Sequence, residues 1–318
     1  MEKVSRVYMY ARHEDEAELC TLELESLFGG WRETAGGPHV VAVNDGAASD
    51  IAPGRSPFVK RKIEVAVQAE SMEELAEQIR EYDLRGATFK VLYTEGDEPC
   101  SYGERRKLER MAGGAVKGKA DMRSPEVTLG LIRWRGQWLF GPCSDNDAAW
   151  LAHSSKPQNY STALPTRMAR ALVNIAMGET PAGASLLDPC CGMGTVLIEA
   201  LSMGIDAAGV DLNPLAVRGA RVNLRHFGYA EDLVRIGDLR RLEGFWHAAI
   251  VDMPYNLCSV LPSEDQLDML RAVKRIAGRA VIVTTKDIGR ALEKSGLTLI
   301  NRACMRKSSF IRYASVVE

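Results

Sequence analysis

The stretch Asp188-Pro-Cys-Cys-Gly-Met-Gly-Thr195 decides how the second half of the chain folds. It follows the short apolar segment Ser185–Leu187 and precedes a run of residues with helical periodicity. Glycines let a backbone turn tightly and approach a ligand closely, and the free N–H groups at a helix start face that ligand. A second acidic residue, Asp211, ends the next apolar segment, where its carboxylate is placed to accept hydrogen bonds from ribose hydroxyls. The order of strand, loop, helix, strand and acid predicts a nucleotide-binding site.

Strand-like and helical segments alternate through the rest of this half, which is typical of a mostly parallel sheet covered by helices. The expected strands lie at Ser185–Leu187, Ala207–Val210, Val234–Ile236, Ala248–Val251, Ala280–Thr284, Leu297–Arg302 and Phe310–Val317. The expected helices lie at 163–178, Thr195–Met203, Pro214–Phe227, Glu264–Ile276 and Ile288–Ser295. No helix separates the last two strands, so we expect an antiparallel hairpin at the sheet edge. We therefore predict an α/β fold whose seven-stranded sheet resembles the methyltransferase variant of the Rossmann architecture.

The first half of the chain has a different pattern. Helical patterns at Glu14–Phe28 and Ser71–Tyr82 are interleaved with strand-like runs at Val4–Tyr10, Val40–Val43, Lys62–Val67 and Phe89–Tyr93. This mixture predicts an α+β domain. The polar, proline-containing stretch 156–161 marks the expected boundary between the two halves.

The form of the glycine loop indicates which nucleotide it binds. The dinucleotide pattern Gly-x-Gly-x-x-Gly fails because Leu197 stands at its third glycine position, which argues against NAD. The form Asp-Pro-x-x-Gly-x-Gly-Thr instead resembles the S-adenosylmethionine loop of amino-methyltransferases, and by that resemblance Asp238 would meet the adenine amine. The residues expected to bind this cofactor are Asp188, Pro189, Cys190, Gly192, Gly194, Thr195, Asp211, Leu212, Asp238 and Leu239.

The tetrapeptide Asp252-Met-Pro-Tyr255 follows the apolar segment 248–251, at the carboxyl edge of the predicted sheet, where ligands bind in such folds. A base amine is a poor nucleophile because its lone pair is delocalised into the ring. The Asp252 carboxylate and the Met253 carbonyl would each accept one amine hydrogen, which directs the lone pair towards a methyl group. Tyr255 offers a flat face on which a base stacks. Asp252, Met253, Pro254 and Tyr255 are the candidate catalytic residues, although a plain turn after a strand has the same composition.

The chain has a net charge of −2, so it has no global attraction for nucleic acid, and a polyanion must meet a local basic patch. Residues 104 to 119 carry six basic and two acidic side chains, and Lys60-Arg-Lys62 forms a second basic cluster. A charged surface that is merely exposed to solvent accounts for either cluster alone about as well as a nucleic-acid-binding surface does. The candidate RNA-binding residues are Lys60, Arg61, Lys62, Arg105, Arg106, Lys107, Arg110, Lys117 and Lys119.

The composition excludes several other classes of protein. The apolar runs are far shorter than the roughly 18 residues of a membrane helix, and the first sixteen residues are too charged for a secretory signal. Seven cysteines with no repeated two-residue spacing fit neither a disulfide framework nor a zinc ribbon. We therefore expect a cytoplasmic enzyme with no metal site and no membrane association.

Three stretches resemble the THUMP-domain RNA methyltransferases, especially those that methylate the N2 amine of guanosine in tRNA. The stretch 188–200 is close to that family's cofactor motif, and Leu164-Pro-Thr-Arg-Met-Ala-Arg-Ala-Leu-Val-Asn-Ile-Ala176 resembles the helix before it. The stretch 119–127, running into Trp138-Leu-Phe-Gly141, resembles the end of a THUMP domain. The family usually has Asp-Pro-Pro-Tyr, so Met253 replaces a proline that would fix φ.

The resemblance implies three domains: a ferredoxin-like segment over 1–57, a THUMP-like RNA-binding domain over 58–150, and a methyltransferase domain over 151–318. It implies tRNA or another structured RNA as the partner, S-adenosylmethionine as the cofactor, and no DNA. Some members of the family need a small activating zinc protein, a question that the sequence leaves open.

Two other functions stay open at this point. The same tetrapeptide serves adenine-N6 methylation of RNA or DNA, although the THUMP-like half disfavours DNA. Alternatively, the chain is an RNA-binding protein with a retained but idle methyltransferase fold. The position of the modified nucleotide and the number of methyl groups added are not encoded in any of these motifs.

Overall fold

The computed structural model describes residues 3–29, 31, 39–44, 50–160, 163–178, 183–254, 263–307 and 310–318. Its helices are α1 (Ala17–Leu27), α2 (Met72–Ile79), α3 (Tyr102–Ala115), α4 (Thr166–Met177), α5 (Thr195–Ser202), α6 (Pro214–His226), α7 (Ser263–Ile276) and α8 (Gly289–Ser295). Its strands are β1 (Val4–Tyr10), β2 (Val40–Asn44), β3 (Val59–Glu64), β4 (Val67–Ala69), β5 (Phe89–Thr94), β6 (Val127–Trp134), β7 (Gln137–Asp145), β8 (Ser185–Asp188), β9 (Asp206–Asp211), β10 (Val234–Ile236), β11 (Trp246–Asp252), β12 (Ala277–Thr284), β13 (Leu299–Lys307) and β14 (Phe310–Val317). The chain divides into two compact units: unit 1 comprises Met1–Ala11 and Trp31–Asp147, and unit 2 comprises Arg12–Gly30 and Ala148–Glu318.

Unit 2 contains a seven-stranded sheet in the order β10-β9-β8-β11-β12-β14-β13. Strands β8 to β12 pair in parallel with one another, whereas β14 is antiparallel to both β12 and β13. The predicted α/β fold with an antiparallel edge hairpin is therefore confirmed. From β8 the chain first runs to β9 and β10 on one side and then to β11 on the other, so a topological switch point lies between β8 and β11. In such sheets the carboxyl ends of the strands at this point form the ligand crevice.

Buried apolar strands hold this sheet in place. Residues 248–251 of β11 are fully buried, as expected for a parallel strand with helices on both faces. The side chains of Leu270, Val273 and Ile276 from α7 pack against this layer. On the opposite side of the switch point, α6 begins with Pro214 in its first turn, and the Asn213 side chain accepts a hydrogen bond from the Leu215 N–H.

Unit 1 contains a second seven-stranded sheet, in the order β2-β1-β3-β7-β6-β5, with β4 paired to β7. Helices α2 and α3 bury Leu75, Ile79 and Ala112 against the Phe89 and Val91 side chains of β5. A capping box starts α3, because Ser101 and Glu104 each accept a hydrogen bond from the other's backbone N–H. The basic run predicted from the sequence is thus largely one helix.

The observed units differ from the predicted division at residues 57 and 150. Strands β1 and β2, before residue 57, share one sheet with β3, after it, since β1 pairs with both. Helix α1 belongs to unit 2, where the Asn174 side chain of α4 donates to the Glu23 carboxylate at 2.6 Å. The Cys304 N–H of β13 donates to the Glu18 carboxylate, also at 2.6 Å. The assignment of residues 58–150 to a THUMP-like domain stays a prediction.

Candidate active site

The glycine loop lies between β8 and α5, where the sequence predicts it. Gly192 and Gly194 adopt positive φ angles of 51° and 78°, which a residue with a side chain adopts only at a cost. The Cys191 N–H donates to the Val210 carbonyl at 3.0 Å, so the loop is tied to the end of β9. Helix α5 starts immediately afterwards at Thr195, which is buried.

Asp211 connects this loop to the second strand. Its Oδ2 accepts a hydrogen bond from the Gly192 N–H, and its Oδ1 accepts one from the Asn213 N–H, both at 2.8 Å. Each oxygen of a carboxylate can accept more than one hydrogen bond, so the half-buried Asp211 keeps acceptor capacity for a ligand. It orders the loop and presents an acceptor at the same time.

A cavity of about 210 Å³ brings together residues from the four strand ends around the switch point. The residues that line it include Pro189, Cys190, Asp211, Leu212, Asp238, Leu239 and Pro254. A neighbouring cavity of about 740 Å³ shares Leu212 and Asp238 with the first. Six of the predicted cofactor residues and one predicted catalytic residue therefore line one cavity.

Asp238 is held by an arginine that the sequence analysis missed. Arg240 donates from its backbone N–H to Asp238 Oδ1 at 2.9 Å, and its guanidinium pairs with Oδ2 at 2.8 Å. These hydrogen bonds hold the pKa of Asp238 below its usual range. The same guanidinium reaches Asp265 of α7 at 3.3 Å. The spacing Asp238-x-Arg240 was the available signal in the sequence.

Asp188 lies beneath the loop rather than in the cavity. It is 3% exposed, and its Oδ1 accepts the Cys190 N–H at 3.2 Å. Burial raises the pKa of Asp188 well above its usual value, and the nearby charges of Asp252 and Asp211 raise it further. Burial likewise raises the pKa of the Cys190 thiol, which keeps this cysteine protonated.

The predicted catalytic tetrapeptide begins at the end of β11. Asp252 is half-buried and close enough to Asp188 to affect its titration. The Met253 side chain is buried in the core, and its N–H donates to the Val283 carbonyl of β12 at 3.0 Å. Pro254 is exposed at the cavity, and Tyr255 lies outside the described residues.

The structure separates the predicted RNA-binding residues into two groups. Arg61 pairs with Asp145 at 2.6 Å, and the buried Lys62 pairs with Asp50 at 2.9 Å and with Glu64 at 2.8 Å. These ion pairs engage both side chains within unit 1, and RNA contact by Arg61 and Lys62 stays a prediction. Arg105 and Arg106 also have acidic partners, in Glu95 and Glu109. The exposed members of the set are Lys60, Arg106, Lys107, Arg110, Lys117 and Lys119.

A groove of about 590 Å³ runs beside α3 in unit 1. Its apolar lining comes from Phe89, Val91 and Met122, and its basic lining from Lys90, Arg106 and Arg110. Gly113 and Gly114 also line the groove, and because they have no side chains, the backbone of α3 is accessible there. Within the described ranges, no group of three or more His, Cys, Asp or Glu side chains is arranged to hold a metal ion. None of the described helices is both long and apolar enough to cross a membrane.

The match to a family model decides what kind of domain unit 2 contains. The model for UPF0020, described as an RMKL-like methyltransferase domain, matches residues 154–294, which include the glycine loop and the tetrapeptide. The match covers less than half of the chain and supports a methyltransferase domain in this segment.

Two curated relatives and one solved structure resemble larger parts of the chain. A tRNA (guanine(10)-N2)-dimethyltransferase from Pyrococcus abyssi is 29% identical over 241 residues, which cover 69% of this chain and 70% of that protein. The U6 snRNA (guanine-N(2))-methyltransferase THUMPD2 of Mus musculus is 29% identical over 244 residues, covering 69% of this chain and 45% of the relative. The crystal structure of TrmN from Thermus thermophilus superposes with a TM-score of 0.51 at 18% identity and covers 98% of this chain and 99% of that one. This structural likeness supports the fold.

Proposed function

We propose that this chain transfers a methyl group from S-adenosylmethionine to the exocyclic N2 amine of a guanosine in tRNA. The observation that carries the proposal is the shared cavity, in which Pro254 of the tetrapeptide lies with Asp211 and Asp238 of the cofactor site. We take Asp252 and Met253, which directly precede Pro254 in the chain, as the acceptor pair for the amine, and the cavity as the nucleotide site. The choice of guanine and of tRNA rests on what the Pyrococcus abyssi relative is named for.

The residues present fit the adenosine part of the cofactor. Of the three carboxylates that line the cavity, Asp211 suits the ribose hydroxyls and Asp238 the adenine amine, and Leu212 and Leu239 add apolar side chains. Arg240 can release Asp238 and remain paired with Asp265. The Asp238 oxygens are then free to accept hydrogen bonds from the adenine amine. A side chain at Gly192 would project into open space beside the loop, so the loop itself presents backbone to a ligand. When bound, the cofactor supplies an electrophilic methyl group on a sulfonium.

The remaining catalytic work falls to the tetrapeptide. The Asp252 carboxylate and the Met253 carbonyl accept the two hydrogens of the target amine, which localises the lone pair on nitrogen. Hydrogen bonding of Met253 to Val283 of β12 fixes this part of the backbone. Rate enhancement then comes from positioning and from fixed dipoles. The target base must leave its stack to reach this edge, and Tyr255 is proposed to stack on it.

RNA binding is proposed for the groove beside α3. Its apolar side chains suit an unstacked base, while Arg110 lines it and the exposed Lys117 and Lys119 follow α3 along the chain. We place the reaction in the cytoplasm. An activating zinc protein is not part of the proposal, because nothing in the described residues marks a surface for it.

Adenine-N6 methylation and an idle RNA-binding protein are the competing functions. The first uses the same tetrapeptide, but both curated relatives described above carry guanine-N2 in their names. The second predicts RNA binding without cofactor binding. Calorimetric titration with S-adenosylhomocysteine separates the idle protein from an enzyme, and nucleoside analysis of the product separates guanine from adenine.

The decisive experiment measures methyl transfer from labelled S-adenosylmethionine to unmodified tRNA. We expect N2-methylguanosine from the wild-type protein and a fall of about 100-fold or more for Asp252→Ala, since one positioned acceptor is removed. Asp268→Ala is the matched control, because Asp268 is an exposed carboxylate of α7 that pairs with Arg271 at 3.0 Å.

Three outcomes count against the proposal. Absence of transfer to any tRNA contradicts the activity, and N6-methyladenosine as the product contradicts the target base. Equal rates for Asp252→Ala and the wild type contradict the assigned site. Transfer that occurs only after addition of cell extract would indicate that an activating partner is required.

A further inference from the structure

Lys156 is a buried lysine that the proposed mechanism does not use. It lies in unit 2 between a short 3-10 helix (Ala149–Ser155) and α4, and it is 7% exposed. Within the described part of the chain its ammonium makes no hydrogen bond or ion pair. Burial lowers the pKa of Lys156, and the negative charge of Glu199 raises this pKa by a smaller amount. The Lys156 nitrogen itself is not one of the fully buried, unpartnered side-chain atoms of the described residues, so the ammonium stays accessible to a ligand.

Glu199 cannot be the dedicated partner of Lys156, because it already serves two other side chains. Its Oε2 accepts from Arg170 at 2.7 Å, and its Oε1 contacts His153 Nδ1 at 2.6 Å. Glu199 is fully buried, and Arg170 is buried as well. The charge of Glu199, which raises the pKa of Lys156, is thus already paired with the buried Arg170. An additional anion would balance this group.

The polypeptide segment that carries Lys156 is fastened to the cofactor loop. The buried side chain of Asn223 in α6 donates to the carbonyls of Gln158 and Met193, both at 2.9 Å. It also accepts the Gln158 N–H at 2.8 Å. Glu199, the charged neighbour of Lys156, lies one turn beyond Thr195 on α5. Lys156 is therefore held beside the loop, from the side of α5 and α6.

We propose that the Lys156 ammonium binds the carboxylate of the cofactor's amino-acid tail. This inference rests on the proposed function, since it takes S-adenosylmethionine as the cofactor. The residues proposed to bind the adenosine part are hydrogen-bond acceptors and apolar side chains. None of them is a cation that pairs with the carboxylate of the amino-acid tail. Among the residues lining the 210 Å³ cavity, the basic one is Arg240, which is occupied by Asp238 and Asp265. Lys156 is the buried cation beside the loop that has no such partner among the described residues.

Calorimetry with two ligands tests this assignment. The ligands are S-adenosylhomocysteine and its decarboxylated analogue, which keeps the adenosine, the sulfur and the amine. We expect Lys156→Met to weaken binding of S-adenosylhomocysteine by about 30-fold or more, as loss of one member of a buried charge pair does, and to change binding of the analogue less than about 2-fold. Lys156→Arg should retain most of the preference for the carboxylate. Lys294→Met, an exposed lysine of α8, is the control.

The outcomes separate this inference from the proposed function. If the wild type binds neither ligand, the proposed cofactor is wrong. If Lys156→Met weakens both ligands equally, the lysine has a structural role and the inference is overturned. It is also overturned if Lys156→Met binds S-adenosylhomocysteine normally but loses RNA affinity, since the anion is then a phosphate. Should Lys156→Met not fold, equal affinity of the wild type for the two ligands contradicts the inference directly.

Discussion

Asp188 shows how one buried carboxyl group links the cofactor loop to pH. It accepts the Cys190 N–H and is almost fully buried, with Asp252 and Asp211 nearby. Its pKa in the folded protein is raised, so the folded state binds a proton more tightly than the unfolded state does. In the pH range between the usual pKa of an aspartate and the raised one, the free energy of unfolding therefore falls as pH rises. At neutral pH the burial of Asp188 beneath the loop therefore lowers the free energy of unfolding.

Replacing Asp188 by asparagine should remove this cost. An asparagine keeps an oxygen for the Cys190 N–H but does not titrate. At low pH, where the carboxyl group is protonated in both states, we expect equal stability of variant and wild type. Above about pH 4 the variant should become more stable, by about 1.4 kcal/mol for each pH unit until the raised pKa is reached. Urea unfolding at several pH values measures this difference, and a difference that does not change with pH contradicts the expectation.

Met253 illustrates what a motif can and cannot indicate. The sequence identifies it as a departure from Asp-Pro-Pro-Tyr, and the loss of the proline predicts a looser carbonyl. The structure gives a different reading, because the Met253 N–H donates to Val283 and the side chain is 3% exposed. A proline has no N–H and could not donate this hydrogen bond. The pairing partner lies 30 residues away on β12, so the motif alone gives no sign of it.

At the scale of elements, β7 changes its pairing partner at a glycine. Phe140 is paired with Val67 of β4, and Cys143 is paired with Ile63 of β3. A Cβ atom at Gly141, between them, would lie 1.8 Å from the Glu64 carbonyl oxygen and 2.8 Å from the Ala66 nitrogen. The backbone of the connection between β3 and β4 thus passes directly over this residue. Only glycine permits the close approach.

We expect Gly141→Ala to lower the free energy of unfolding of unit 1 by about 1–3 kcal/mol, since backbone atoms must move to admit the methyl group. Gly114→Ala is the matched control. Gly114 lies in α3, where an added Cβ atom would meet nothing within 4 Å, and alanine in a helix is favoured by up to about 1 kcal/mol over glycine. Thermal or urea unfolding measures both variants. Equal stability of Gly141→Ala and the wild type would show that the backbone relaxes freely.

The same region shows why part of unit 1 escaped the sequence analysis. The run Lys62–Val67 alternates like one strand, but the structure ends β3 at Glu64 and starts β4 at Val67, because the two pair with different parts of β7. Strands β6 and β7 were not predicted as strands at all. They pair with each other as a hairpin whose turn is Arg135-Gly136, with positive φ angles of 48° and 75°, so a local turn signal was present and was overlooked.

At the scale of the whole molecule, the two units differ in how much the sequence foretells. In unit 2 the strand–helix alternation, Pro214 and the glycine loop are local signals, and together they predict the parallel sheet, its antiparallel edge hairpin and the loop between β8 and α5. Helix α1 is the exception. Its apolar face is evident from the sequence, but the partner that it packs against, α4, lies more than 130 residues away in the chain, as the Glu23–Asn174 hydrogen bond shows. The site residues Lys156 and Asn223 were missed because their roles depend on such distant contacts, whereas the partner of Arg240, Asp238, lies only two residues away in the chain.

The charge distribution yields the last prediction. The net charge of −2 gives the chain no overall attraction for RNA, so affinity must come from local basic side chains. Arg110, Lys117 and Lys119 are exposed in unit 1, and replacing all three by glutamine should weaken tRNA binding. Each phosphate contact contributes about 0.7–0.9 to the slope of log affinity against log salt, so the slope should fall by about 2–3. The control replaces Lys286, Arg290 and Lys294, exposed residues of unit 2, and makes the same change in net charge. Cofactor affinity should be unchanged in both variants. Equal salt slopes for the two triple variants would show that net charge alone, rather than this face of unit 1, attracts the RNA.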